Sequence, residues 1–432
     1  MRMKRLLLLG MLPFFVIAAC KSVVPLQSDK EEPVYTGTLR VGLHSLFWKK
    51  DPYSPGSKPM SRDDILQQRS LAFMEKHPGV KIEFIDVDYK YNYQDLLEDP
   101  SQMPDVIELT VNEARLSMRD RIVSLAERIE EHAAWWDGDY RQVIDLAELD
   151  EEAFLLPITS NPMLVFYDPQ LFATLGIPKP HEGWTYGEFT ALGTQLAAKG
   201  YPMYLPPDTL TTMEPIIRGL GGTLAAPDLR AVSGYLDSDA TAGAFAQYAA
   251  MLKDLTGGTG EAGVERTFGM LRASQMLVGP GIAPIPTSVE GVRHNNALMT
   301  GLAISKDSRQ QELAWAYVTH LVGDTSDEAM EFVVTNTLDS EEFSNRFERV
   351  DPEYVTKLKT WMKHAIATAE PAAFYMVFHD NSQGPRDDTV YVPQRSLAQL
   401  LRYADPETAR ADLKQWAQEI EMQAPFLAWM RK

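Results

Sequence analysis

The stretch that decides the fold is residues 163–189, which read MLVFYDPQLFATLGIPKPHEGWTYGEF. Its first five residues, Met163–Tyr167, are all apolar, and a short apolar run bounded by turn residues is typical of a buried β-strand. Asp168 and Pro169 then supply an N-cap and a first helical residue, and Gly176 is the residue type that ends a helix. The stretch therefore predicts a buried strand that leads directly into a short helix.

The segments on either side continue this alternation of strands and helices. Thr185 and Glu188 have the spacing of a capping box, which predicts the start of a second helix. Towards the N-terminus, apolar residues mark strands over 39–43, 80–84 and 106–109, with a capped amphipathic helix between the first two. This order of elements predicts an α/β protein with a largely parallel sheet.

The N-terminal segment has the composition of a secretory signal. A basic start is followed by Leu6–Ala19, a stretch without charge that is too short to span a bilayer comfortably. Cys20, the only cysteine, follows two alanines, and this arrangement resembles a bacterial lipoprotein signal. We therefore expect removal of 1–19, attachment of lipid such as palmitate to Cys20, and a tether over 20–36. The alternative is an ordinary signal peptide with an incidental cysteine.

Composition and missing motifs narrow the function further. The chain has 432 residues, 45% of them hydrophobic and 23% charged, and a formal net charge of −19. This is a globular and acidic composition, which argues against nucleic acid as a partner. A single cysteine excludes an intramolecular disulfide and a zinc–thiolate site. The sequence has no HExxH, GxSxG or P-loop, and no GxGxxG follows a predicted strand. We therefore expect a binding protein rather than an enzyme, with no cofactor and no metal.

Several segments, taken in order, resemble the extracellular solute-binding proteins of ABC importers, most closely the maltose/oligosaccharide-binding type, family 1. The segments that carry the resemblance are 73–82 (FMEKHPGVKI), 104–109 (PDVIEL), 165–172 (VFYDPQLF), the pair Gly221 and Gly222, and 301–306 (GLAISK). The resemblance implies a two-lobed periplasmic-binding-protein fold, type II-like. It also implies mostly parallel central sheets flanked by helices and a hinge with several crossovers.

The resemblance further implies the extent of the lobes and the function. The N-terminal lobe would comprise 37–156 and 287–330, and the C-terminal lobe 157–286 and 331–432. The protein would capture a small solute, in this branch a sugar or oligosaccharide, and deliver it to ABC permease subunits. We expect a monomer, anchored by lipid to the outer face of a Gram-positive cell membrane. The alternative is a surface lipoprotein of the same fold that serves a sensor kinase or a surface complex.

Four candidate ligand groups follow predicted strands. Sugars are recognised by aromatic faces together with carboxylates and amides that bond to several hydroxyls. Phe47 and Trp48 follow the first strand, at the end where open α/β sheets place ligands, although they could equally pack beneath their own loop. Glu108 could supply an acceptor or end a strand in solvent. Asn161, at the expected hinge, could bond to the ligand or cap a turn.

The resemblance adds candidates in the second half of the chain. Maltose-binding proteins carry a Glu-Pro whose glutamate contacts sugar hydroxyls, and Glu214 occupies the matching place. The aromatic residue that follows in those proteins is Ile216 here, so maltose itself is not carried over. The family also supplies a late stacking aromatic, for which Phe374, Tyr375 and Tyr391 are the candidates; the alternative for these three is an aromatic core stripe.

Overall fold

The structure is a computed structural model, and it describes a little over two thirds of the chain. The described ranges are 33–44, 62–87, 99–115, 118–148, 152–205, 210–227, 231–256, 267–275, 281–338, 352–370, 397–403 and 405–423. The expected signal segment and all but the last four residues of the expected tether lie outside them. Within these ranges, no helix has both the length and the apolar composition needed to cross a membrane.

Strands and helices alternate through most of the chain. The strands are β1 (Thr36–His44), β2 (Gly79–Val87), β3 (Val106–Thr110), β4 (Leu156–Asn161), β5 (Met163–Tyr167), β6 (Phe268–Arg272), β7 (Gly281–Ala283) and β8 (Leu298–Ile304). The helices are α1 (Arg62–Lys76), α2 (Val111–Arg115), α3 (Ala126–Glu131), α4 (Asp139–Ala147), α5 (Pro169–Leu175), α6 (Tyr186–Ala197), α7 (Leu210–Gly219), α8 (Asp239–Leu255), α9 (Gln311–Val322), α10 (Ser326–Leu338), α11 (Pro352–Ala367), α12 (Leu397–Leu400) and α13 (Pro406–Gln423).

The strands form two sheets, in the orders β2-β1-β3-β8-β4 and β6-β5-β7. In the first sheet β1 runs parallel to β2 and β3, whereas β8 is antiparallel to β3 and β4. In the second sheet β5 is antiparallel to both of its neighbours. The expectation of mostly parallel sheets therefore holds for the first sheet, in which β8 alone runs against the direction of the other four strands. It is wrong for the second sheet, which is antiparallel.

The decisive stretch folds as its residues predict. All five residues of β5 are buried. The side chain of Asp168 accepts hydrogen bonds from the backbone N–H groups of Gln170 (2.8 Å) and Leu171 (3.0 Å), which satisfies two donors at the start of α5. Gly176 ends that helix in the left-handed region with φ of 65°. The capping box over 185–188 is also formed.

Two hydrophobic cores lie on the two faces of β5. Leu164 and Phe166 belong to the core that the first sheet forms with α1, α4, α9, α10 and α11. Met163, Val165 and Tyr167 belong to the core formed by α6, α7, α8 and α13. Side chains alternate between the faces of a strand, so one short strand serves both cores. The two-lobed α/β fold is confirmed, while the residue boundaries of the lobes stay a prediction.

A close backbone approach in the second sheet can be tested at Gly269. Tyr204 is bonded to β6 on both sides of this glycine, to Phe268 O (2.8 Å) and from Met270 N (3.1 Å), and a Cβ at position 269 would lie 2.1 Å from Tyr204 O. We expect Gly269→Ala to lower the free energy of unfolding by about 1–3 kcal/mol in urea denaturation. The control is Gly243→Ala within α8, where an added Cβ meets nothing within 4 Å. That variant should be neutral or more stable, and equal effects at both positions would contradict the close approach.

Candidate functional site

The first passage of the chain between the two sheets consists of a single residue, Pro162. Asn161 ends β4 in the first sheet, Met163 begins β5 in the second, and only Pro162 separates them. The carbonyl oxygen of Pro162 accepts a hydrogen bond from Ala273 N at 2.9 Å, so the turn after β6 holds this passage in place. The chain thus changes sheets without a flexible linker.

Asn161 is engaged by that same turn. Its side-chain Nδ2 donates to Ser274 Oγ at 2.8 Å, and its Oδ1 accepts from Ser274 N at 3.0 Å. The guanidinium of Arg272, at the end of β6, donates to the Asn161 carbonyl at 3.1 Å and to the Asn296 carbonyl at 2.9 Å. Of the two roles left open for Asn161, these contacts are those of a residue that anchors a turn; contact with a ligand stays a prediction.

The second passage between the sheets is the segment from β7 to β8. Within it, the amide of Asn295 bonds to both backbone groups of Met163, accepting from its N at 3.0 Å and donating to its O at 2.8 Å. Asn295 O also accepts from Glu370 N at 2.7 Å, and Asn296 pairs with Glu370 in an isolated parallel bridge. Three chain segments that are distant in sequence therefore lie side by side next to Pro162.

Glu214 reaches this meeting point from α7. Its side chain is fully buried at 0% exposure, and its Oε2 accepts a hydrogen bond from Asn296 Nδ2 at 2.8 Å. Its other oxygen lies 3.5 Å from Nη1 of Arg218, one helical turn further along α7. The carboxylate that the resemblance assigns to a sugar is thus directed at the passage between the sheets.

Arg218 links Glu214 to a second carboxylate. Its Nη2 lies 2.5 Å from Glu370 Oε2, and His294 Nδ1 lies 3.2 Å from both carboxylate oxygens of Glu370. Burial acts to raise the pKa of Glu370, but the hydrogen bond from His294 and the charge of Arg218 outweigh it, so the pKa lies below its usual value. We call the five residues Glu214, Arg218, His294, Asn296 and Glu370 the hinge clamp.

Three threonines form a row across the hinge-side end of the first sheet. Thr110 of β3 is paired with Thr300 of β8, which is in turn paired with Thr159 of β4. The hydroxyls of Thr159 and Thr300 lie 2.8 Å apart, and all three side chains are half-buried. We call Thr110, Thr159 and Thr300 the threonine row. No sequence pattern predicted it, because the three residues lie on separate strands and threonine is common in sheets.

Two buried glutamates orient the threonine row. Glu108, the candidate predicted on β3, is 0% exposed, and its Oε1 accepts a hydrogen bond from the Thr300 hydroxyl at 2.8 Å. Thr300 donates to Glu108, so Thr159 must donate to Thr300, and the hydroxyl directions are set. Glu113 in α2 accepts from Thr110 N at 2.8 Å and donates its own N–H to the Thr110 hydroxyl at 3.2 Å. The capping-box spacing of Thr110 and Glu113 could have revealed this second glutamate.

Burial changes the protonation of Glu113. Loss of solvation raises its pKa from 4.5 to about 8, and the nearby charge of Glu108 acts in the same direction. The hydrogen bonds from Thr110 oppose this shift without overcoming it. Below about pH 8, Glu113 is therefore mainly a neutral carboxylic acid at this end of the sheet.

A cavity of about 1040 Å³ lies elsewhere, on the second core's helices. Its walls are α6, α8, the glycines that follow α7, and the loop after β7. No residue of the first sheet lines it; the residues it shares with the hinge clamp are Arg218 and His294. The cavity is thus separate from the threonine row. Within the described ranges, no group of three or more His, Cys, Asp or Glu residues could hold a metal ion.

The other predicted site residues lie outside the described residues. They are the lipid-attachment candidate Cys20 and the aromatic ligand candidates Phe47, Trp48, Phe374, Tyr375 and Tyr391. Of the predicted ligand groups, the structure therefore places Glu108, Asn161 and Glu214. It brings Asn161 and Glu214 to the passage between the sheets and Glu108 to the threonine row.

The sequence model for the family described as bacterial extracellular solute-binding protein matches residues 60–328. This match covers more than half of the chain and contains every described strand except β1. No curated protein sequence matches.

Solved structures of low sequence identity share the fold. The ABC substrate-binding protein Lmo0181 from Listeria monocytogenes, in complex with cycloalternan, is 13% identical with a TM-score of 0.60, over 90% of this chain and 100% of that one. The cyclic alpha-maltosyl-1,6-maltose binding protein from Arthrobacter globiformis is 15% identical with a TM-score of 0.62, over 91% and 99%. The GacH receptor of Streptomyces glaucescens, solved unliganded and with acarbose, is 15% identical with a TM-score of 0.58, over 90% and 99%. At these identities the likeness shows the fold alone.

The raised pKa of Glu113 predicts a pH dependence of stability. Between pH 5 and 8 the folded protein holds a proton on Glu113 that the unfolded chain has released, so stability should fall as pH rises, by at most about 1.4 kcal/mol per pH unit. Glu113→Gln keeps an acceptor for Thr110 and should remove this part of the slope in urea unfolding at pH 5, 6, 7 and 8. The exposed Glu75→Gln is the control, with the wild-type slope. A wild-type slope in Glu113→Gln would refute the assignment.

Proposed function

The chain belongs to the bacterial extracellular solute-binding proteins, as the sequence resemblance implied, and from this membership we propose that it captures a carbohydrate between its lobes and delivers it to an ABC permease. Membership of this family also implies that the protein is located on the outer face of the cell. A solute that contacts both lobes only when they are closed shifts the protein towards the closed form. The permease then distinguishes loaded from empty receptor.

The carbohydrate class is supported by what the similar structures bind. Their names give cycloalternan, cyclic alpha-maltosyl-1,6-maltose and acarbose as ligands of those proteins. All three are oligosaccharides or oligosaccharide analogues. At identities of 13–15%, structural similarity shows a shared fold but not a shared ligand. The proposed class of solute must therefore also agree with the chemistry of this chain's own site.

The threonine row is the observation that carries this proposal. It lies where β3 ends, next to the end of the parallel strand β1, and α/β sheets place ligands outside such ends. Because the protons of Thr159 and Thr300 are already donated within the row and to Glu108, the remaining lone pairs of these hydroxyls offer acceptors to the hydroxyl groups of a polyhydroxylated solute. Because Glu108 and Glu113 are hydrogen-bonded to Thr300 and Thr110, the hydroxyls of the row need little reordering when a solute binds.

Two matched substitutions test where the solute binds. Thr159→Val removes one hydroxyl of the row with little change in shape and keeps the hydrogen bond from Thr300 to Glu108, whereas Thr190→Val removes a hydroxyl in the wall of the cavity on α6. With maltotriose, cycloalternan and chitotriose as probes in isothermal titration calorimetry, we expect Thr159→Val to raise Kd by about tenfold. Thr190→Val should bind as the wild type does. The reverse pattern would move the site to the cavity, and failure of the wild type to bind any member of a broad oligosaccharide panel would refute the carbohydrate class.

Membrane attachment is proposed to run through Cys20. The support is its position after the uncharged stretch 6–19 and two alanines, together with its being the only cysteine in the chain. In the native host, we expect a palmitate analogue to label the wild type and the protein to fractionate with membranes. Cys20→Ser should lose the label and appear in the soluble fraction. Retained labelling would show a different attachment, because no other thiol is present.

A further inference from the structure

The hinge clamp joins charged groups from three parts of the chain. Glu214 and Arg218 lie on α7, which packs in the second core, whereas Asn296 precedes β8, a strand of the first sheet. Glu370 follows α11, whose buried residues belong to the first core. Two contacts of the clamp, Glu214–Asn296 and Arg218–Glu370, therefore connect a side chain of the second core's helix to a segment that leads into the first.

The charges of the clamp require Arg218. Glu214 is fully buried, and a buried carboxylate is costly unless it is paired and hydrogen-bonded. Arg218 contacts Glu214 with one terminal nitrogen and Glu370 with the other, which is the fork geometry that distinguishes arginine from lysine. One guanidinium thus fixes the separation of two carboxylates on different segments.

We propose that Arg218 is a positioning residue that sets the angle between the two lobes, and that Glu214 acts through it rather than by contacting the solute. Rotation of one lobe about the passage at Pro162 would change the distances from α7 to Asn296 and Glu370. Closure would therefore have to stretch or break the contacts of one guanidinium. The proposal rests on the fold and the clamp alone and does not depend on the solute being a carbohydrate.

Contacts other than those of the hinge clamp also hold the chain crossings between the sheets. Asn295, beside it, already ties the second passage to the backbone of Met163 with two hydrogen bonds. Arg272 ties Asn161 to Asn296. These neighbours hold the chain crossings together whatever the lobe angle, so removal of Arg218 should free the angle while leaving the crossings intact.

The experiment measures the distance between lobes in the protein without solute. Spin labels on Glu75→Cys and Lys199→Cys, both exposed, report it by double electron–electron resonance, with Cys20→Ser removing the native thiol. We expect Arg218→Gln to widen the distance distribution at least about twofold, and Arg218→Lys to do so less. The matched control is Arg410→Gln, which removes an exposed ion pair with Asp239 within the second core's helices and should leave the distribution unchanged.

A double variant separates positioning from stability. Arg218→Gln alone leaves the buried Glu214 and the half-buried Glu370 without their cation and is expected to lower the melting temperature, whereas adding Glu214→Gln removes the buried charge and should restore it. If Arg218 positions the lobes, the restored double variant still has the widened distribution. A folded double variant with the wild-type distribution would overturn the proposal, and so would a wild-type distribution in a folded Arg218→Gln.

Discussion

The constraint on which the structure depends is that buried carboxylates must be satisfied where the two sheets meet. Glu214 and Glu108 are both fully buried; Glu214 lies on α7 next to the passage between the sheets, and Glu108 lies on β3 beside the threonine row. Glu214 is paired with Arg218 and Asn296, and Glu108 with a threonine hydroxyl. An unpaired charge at either place would cost several kcal/mol, so the partners restrict how the chain can cross between sheets.

The position of the short strand β5 is restricted at the same junction between the sheets. Because only Pro162 separates it from β4, β5 cannot move far from the first sheet, and its two faces pack into two different cores. A longer connection would let each lobe fold around its own core. The single-residue passage instead makes the hydrogen bonds of Asn161 and Asn295 part of both lobes. Interlobe movement then has to occur by bending around this point.

Local features of the sequence predicted local structure well, but they did not predict contacts between residues that are distant in the chain. The cap at Asp168, the capping box over 185–188 and buried β5 all depend on residues within a few positions of one another. The resemblance implies a ligand-binding role for Glu214, yet its partner Asn296 lies 82 residues away, so the burial of Glu214 could not be predicted from neighbouring residues. The direction of β8 likewise depends on which strands it joins, and its apolar pattern is the same for parallel and antiparallel pairing.

Protonation of the glutamates also bears on the kind of solute. With the pKa of Glu113 raised to about 8, this carboxyl group beside Thr110 is mainly neutral at physiological pH and adds little charge to the end of the sheet. Glu108 is fully buried and accepts a hydrogen bond from the Thr300 hydroxyl, whereas the three threonines are half-buried. An anionic solute would meet no cation in the threonine row, and the chain as a whole carries a net charge of −19. We infer that the row favours a neutral polyhydroxylated solute over a phosphorylated or carboxylated one, because hydroxyl-to-hydroxyl exchange involves little loss of hydration energy whereas an anion would have to be desolvated without a counter-charge.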